Sequence, residues 1–94
     1  MVVVRRLVWD AWNVPHIARH QVTSNEVEEL RQGKFLTVPT YGGRLRIIGV
    51  TKVNRMIAAI LHPLGKATFY VVTARPASRK ERRLYQAKVG KGVT

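Results

Sequence analysis

The chain has 94 residues, enough for one domain with one core, and its 46% hydrophobic content excludes general disorder. Its 17 Lys+Arg against 5 Asp+Glu give a formal net charge of +12. Such a charge points to a polyanionic partner, nucleic acid first and an acidic protein second. The absence of cysteine excludes disulfides and thiolate chemistry and fits a reducing compartment. The longest apolar run, residues 56–61, is too short to span a bilayer, so no membrane partner is expected. Residues 1–6 place their charges after the apolar positions, unlike a secretory signal, and a cytoplasmic protein is expected.

Residues 2–9 read as a first strand, interrupted on one face by Arg5 and Arg6. A short helix through His20 follows, capped by Asp10 or Asn13; Pro15 favours Asn13, since proline is tolerated only in a first turn. Thr23 and Glu26 form a capping box for a second helix, Val22 and Val27 are spaced for a hydrophobic staple, and Gly33 is a natural stop. Val27 and Leu30 share its inner face. The connection over residues 34–43 holds a short strand at 35–38. Three strands follow at 44–51, 55–62 and 68–75, joined by turns at 52–54 and 63–65. Pro76 cannot donate to a sheet ladder and ends the last strand. Ser78 and Glu81 are a second capping box, so a C-terminal helix starts at once.

The pattern predicts an α+β fold: an N-terminal strand and helix pair, an antiparallel meander and a C-terminal helix, with the helices on one face. Residues 1–88 make one domain, and the Gly-rich 89–94 is a flexible tail. Alternation puts Arg44 and Arg46 on one strand face, and Arg55 on a face with Ile57, Ala59 and Leu61. It also groups Phe69, Val71, Thr73 and Arg75. Trp9 and Trp12, beside a strand–helix junction, are expected in the core.

Trp9-Asp10, Asn13, the run from His16 to His20, Val22-Thr23 and Glu26 to Glu29 resemble the N-terminal half of the BrnT toxin family. Arg55, the run from Ala74 to Ser78 and the run from Glu81 to Tyr85 resemble its C-terminal half. The resemblance implies a type II toxin of RelE/ParE-like fold, a ribonuclease that arrests translation. It also implies a BrnA-like antitoxin that neutralises the toxin in a hetero-oligomer. Gln21 and Asn54 stand where that family usually has glycine, and Ser24 where proline is frequent.

RNA cleavage without a metal uses the ribose 2′-hydroxyl as nucleophile. It needs a proton acceptor, a proton donor for the leaving 5′ oxygen, and cations for the phosphorane. Arginine suits the last task because its fork matches two phosphate oxygens. Arg75, at a strand exit, is the first candidate and Arg55 the second; Glu81 and His62 are the candidate acid and base. Arg44, Arg46, Arg79, Lys80, Arg82, Arg83 and Tyr85 are the candidate substrate-binding residues. Bland roles compete: Glu81 as helix cap, Tyr85 as packing, the arginines as ion-pair partners. The catalytic reading requires Arg55, Arg75 and the start of the last helix to converge.

No metal or other cofactor is expected. His16 and His20 have i,i+4 spacing, but Ile17 occupies the glutamate position of a His-Glu-x-x-His motif. The rival readings are a non-catalytic RNA binder and a helix-turn-helix over residues 17–30. Glu26, Glu28 and Glu29 on its recognition helix would repel phosphate.

Overall fold

Runs of β-branched and aliphatic residues build one five-stranded sheet. The computed structural model describes residues 2–89. Its strands are β1 (Arg6–Val8), β2 (Phe35–Pro39), β3 (Leu45–Val50), β4 (Met56–Gly65) and β5 (Thr68–Pro76). Its helices are α1 (Asn13–Ala18), α2 (Ser24–Gln32) and α3 (Arg79–Lys88). The sheet order is β1-β5-β4-β3-β2, with β1 parallel to β5 and every other pair antiparallel. The predicted α+β order holds. Both capping boxes form, Thr23 with Glu26 and Ser78 with Glu81, and Gly33 closes α2. Val89 caps α3; the remainder of the predicted tail lies outside the described residues.

The helices do not share one face. Ile17, Val22, Val27 and Leu30 from the α1–α2 segment bury Ile47, Ile57, Ala59, Leu61, Phe69, Val71 and Ala74 on one side of the sheet. Tyr85 of α3 packs with Leu36, Val38, Ile48, Met56 and Ala58 on the other. Neighbours such as Ile47 and Ile48, or Ala58 and Ala59, fall into different cores because strand side chains alternate. Both faces of β3 and β4 are therefore apolar, and periodicity alone could not assign α3 a side. The glycine at Gly49 lets α2 seat closely: a Cβ there would stand 2.9 Å from Leu30 Cδ2.

The grouping of Phe69, Val71, Thr73 and Arg75 also fails. Ile60 pairs with Thr73, but Leu61 pairs with Val71, so β5 carries an extra residue at this point. Such a bulge reverses the alternation. Phe69 and Val71 face α1 and α2, whereas Thr73 and Arg75 face the side that bears α3. Without it, Arg75 would point into the first core.

The expected turn at 63–65 is strand. β4 continues through Pro63, and the chain reverses at Lys66 and Ala67, both with positive φ. β3 pairs no further along β4 than Leu61, so Pro63 sits where its missing N–H leaves no gap on that side.

Asn13 does not cap α1. Asp10 does the capping work, its Oδ1 accepting the backbone N–H groups of Trp12 and Asn13, each at 2.9 Å. Asn13 is fully buried, and its Nδ2 donates to the carbonyls of Val8 at 2.9 Å and Val71 at 3.1 Å. One amide thus ties α1, β1 and β5 together. Asn13→Ala should lower unfolding free energy by about 3 kcal/mol, because buried carbonyls lose their donor. A urea titration measures this.

The two positions where glycine is usual in the resembled family are both left-handed, Gln21 at φ 61° and Asn54 at φ 65°. Asparagine tolerates this region; glutamine does so at a cost. Gln21→Gly should raise stability by roughly 0.5–1 kcal/mol, read from the same titration.

Candidate nucleic-acid interface

α3 crosses the β2–β3 end of its sheet face, and the bulge turns Arg75 toward it. Ser78 caps the helix and places Glu81 in the first turn, where its carboxylate accepts the Ser78 N–H at 2.8 Å. Arg75 grips the same carboxylate with both arms, Nη1 to Oε1 at 2.6 Å and Nη2 to Oε2 at 2.9 Å. Arg46 comes from β3 with Nε 3.5 Å from Oε2. That Nε is buried and makes no hydrogen bond among the described residues, so its contact with Glu81 is purely electrostatic.

The Glu81 side chain is 4% exposed, whereas Arg75 is 40% and Arg46 30% exposed. The anion lies beneath and the two cations at the surface. Burial pushes the Glu81 carboxyl upward, but the Arg75 fork, the Ser78 amide and the charges of Arg75 and Arg46 together hold it below the ordinary 4.5. Glu81 in turn raises Arg75. A buried carboxylate so engaged is a poor proton acceptor near neutrality. Its geometry is that of a cap and a clamp.

His62 lies further along the same face, two residues beyond Ile60, the partner of Arg46, or about 7 Å. Arg44 Nε donates to His62 Nδ1 at 3.4 Å. The neutral ring then carries its proton on Nε2. Across the sheet His62 pairs with Tyr70, whose hydroxyl donates to Asp10 Oδ1 at 3.2 Å. The structure thus brings Arg44, His62, Arg46 and Arg75 onto one sheet face, with Glu81 below them. Glu81 is the single carboxylate in β3, β4, β5 and α3. Arg79, Lys80, Arg82 and Arg83 stand exposed around the first two turns of α3. Asp10 and Tyr70 were not predicted as part of this face; the bulge that sets the phase of β5 left no sequence signal for Tyr70.

Arg55 does not join them. It alternates onto the opposite side of β4, where Nη1 donates to Glu26 Oε2 at 2.9 Å and to the Gln21 carbonyl at 2.6 Å. There it holds the left-handed Gln21 turn and the start of α2. The required convergence therefore stands for Arg75 and α3 and fails for Arg55. Tyr85 is likewise corrected: its ring packs in the second core, and its hydroxyl donates to the Lys34 carbonyl at 3.4 Å. Trp12, expected in the core, is 66% exposed.

The carboxylates of α2 are engaged within the chain. Glu26 binds Arg55, Glu28 accepts from Trp9 Nε1 and Arg31, and Glu29 accepts the Lys52 N–H. The buried side of α2 lies on the sheet. A helix so anchored, with its outward charge acidic, does not suit a DNA groove. Among the described residues no helix is long and apolar enough to cross a membrane.

Glu81 and Glu26 both have folded pKa values below the ordinary 4.5; for Glu26, burial opposes the shift and the Thr23 amide and Arg55 outweigh it. A depressed carboxylate contributes stability that is complete above its unfolded pKa and is lost as pH falls through the folded one. Stability should therefore hold from neutrality to about pH 5 and drop below the ordinary 4.5. Glu81→Gln should flatten part of that acid limb in urea titrations run across pH.

No protein-family model matches the sequence, and no curated protein sequence matches it. Among solved structures, the Brucella abortus ribonuclease toxin BrnT superposes with a TM-score of 0.64 at 27% identity. The match covers 79% of this chain and 97% of that one. The chain is BrnT-like in fold across nearly the whole of that toxin.

Proposed function

We propose that this chain is the ribonuclease toxin of a toxin–antitoxin pair, which cleaves RNA without a metal on the α3-bearing sheet face and so stops translation. The observation that carries the reading is the gathering of Arg44, His62, Arg46 and Arg75 on one face, in a fold shared with a ribonuclease toxin.

In the proposed reaction, phosphate draws Arg44 away from His62, which frees the Nδ1 lone pair. His62 Nδ1 then takes the proton of the ribose 2′-hydroxyl. The 2′ oxygen forms a bond to phosphorus while the bond from phosphorus to the 5′ oxygen breaks. The leaving oxygen takes a proton from solvent, and the imidazolium later returns its own. A 2′,3′-cyclic phosphate and a 5′-hydroxyl result. Arg46 and Arg75 hold the non-bridging oxygens, where charge grows in the transition state. Glu81 acts through them as a positioning residue. Arg79, Lys80, Arg82 and Arg83 hold neighbouring phosphates, as fixed cations beside the reacting one.

The partner that restrains such a toxin is a BrnA-like antitoxin of acidic or mixed charge, and the pair works in the cytoplasm. Its carboxylates would compete with RNA for the same arginines.

Incubation of purified protein with RNA in EDTA tests the reading. Wild-type protein should cleave. Arg75→Ala should lower the rate about 10²–10³-fold, and His62→Ala at least about 10²-fold. Arg55→Ala should cleave at nearly the wild-type rate per folded molecule while unfolding at lower urea. Undiminished cleavage by Arg75→Ala would remove the proposed site. Binding of RNA without cleavage by the wild type would favour a non-catalytic RNA binder.

A further inference from the structure

Three aromatic rings form a ladder along α1, Trp12 at its N-cap, His16 within it and His20 just after it. Trp12 stacks on His16 with centroids 5.1 Å apart and planes 19° apart, and His20 meets His16 edge-on at 6.3 Å. Helical spacing sets Trp12 and His16 on one side, and the turn after Ala18 brings the His20 ring to the same row. Trp12 is 66% exposed, which leaves the outer face of its indole to solvent. Beside it lies an open cleft of about 350 Å³, lined by Ala11, Trp12, Pro15, His16 and Arg19. Arg19 is the fixed charge of that lining, and no carboxylate contributes to it.

This ladder is tied to the proposed reaction face. Asp10 Oδ1 accepts both the Trp12 N–H at 2.9 Å and the Tyr70 hydroxyl at 3.2 Å. Tyr70 pairs across the sheet with His62. A single carboxylate oxygen therefore links the backbone under the exposed indole to the row that contains the histidine. Asp10 also fixes the Trp12 backbone before any ligand arrives, so less freedom is lost on binding.

We propose that the Trp12–His16–His20 ladder is a stacking subsite for an unpaired base of single-stranded RNA, with Arg19 holding the adjoining phosphate. The proposal rests on RNA being the substrate of the His62 face. An exposed aromatic plane beside a fixed cation matches what a flexible strand offers, a π-face joined to a phosphate. A duplex keeps its bases stacked on each other and offers no such face. Because every base has a π-face, the subsite adds affinity with little choice among bases.

The test uses a short 2′-O-methyl oligoribonucleotide, which lacks the nucleophile and cannot be cut. Affinity is read by fluorescence anisotropy, and base contact by quenching of the Trp12 emission, with Trp12→Phe as the blank for Trp9. Trp12→Ala should weaken binding about tenfold, within the range for removal of one base–aromatic stack. Trp12→Phe should bind within about threefold of wild type, because a plane is retained. Both variants should unfold at wild-type urea concentrations, since the ring is largely exposed. Arg75→Ala should lower RNA cleavage about 10²–10³-fold yet leave Trp12 quenched at saturating oligonucleotide, so failure of the nuclease reading and failure of this one are separate results. Affinity of Trp12→Ala within about twofold of wild type would overturn the proposal. So would equal quenching by polyphosphate, which has no bases. If Trp12→Ala keeps its RNA affinity and loses binding to an acidic protein, the ladder is a protein contact instead.

Discussion

The two-armed grip of Arg75 on the buried Glu81 carboxylate is the contact on which this face of the molecule depends. Glu81 serves two elements at once. Its carboxylate closes the capping box that starts α3, and it receives the fork of an arginine leaving β5. The strand exit and the helix entrance are thus fixed by one group. An ion pair whose anion is buried is poor evidence of added stability, because the carboxylate loses its hydration. Its stronger consequence is geometric. Two guanidinium groups that would repel each other are held side by side, near the surface, by an anion that solvent scarcely reaches.

The distribution of acids explains how a chain of such charge folds. There are 5 Asp+Glu, and each is engaged internally. Asp10 caps α1 and holds Tyr70; Glu26 holds Arg55; Glu28 holds Arg31 and Trp9; Glu29 holds the 52–54 turn; Glu81 holds Arg75. Carboxylates are placed where they satisfy backbone donors or close tertiary joints. The excess cations are left outward, where repulsion is screened by water and salt. The α3 side of the sheet receives one carboxylate from its own elements, and that one is covered.

What the sequence made legible was local. Thr23 with Glu26, and Ser78 with Glu81, announce helix starts because capping is chemistry within four residues. What it hid depends on pairing between distant segments. Asn13 looks like a cap, and only the carbonyls of Val8 and Val71 reveal it as a buried tie. The extra residue in β5 leaves no mark in the local pattern, since Val71, Val72 and Thr73 are all β-branched and suit either phase. Yet that extra residue decides which way Arg75 points. Arg55 shows the converse: alternation groups it with Ile57, Ala59 and Leu61 as observed, but alternation does not say that α2 covers that face.

The sheet consequently divides two kinds of work between its sides. The α1–α2 side contains the larger core, the buried Asn13 and the Arg55–Glu26 pair, all of which hold segments in place. The α3 side has the smaller core, packed under Tyr85, and beyond it Ile60, His62 and Tyr70 remain only half-buried. A cation fixed on the first side restrains a strained turn; a cation fixed on the second has donors to spare. Arg75 uses both Nη1 hydrogens and one of Nη2 on Glu81 and the Pro76 carbonyl, which leaves Nε–H and one Nη2–H without partners among the described residues. Those two donors lie on one edge of a plane that cannot rotate without releasing Glu81. A phosphate that approaches them therefore meets a preset angle as well as a charge, and that is the property by which a positioned arginine differs from the many solvated ones of this chain.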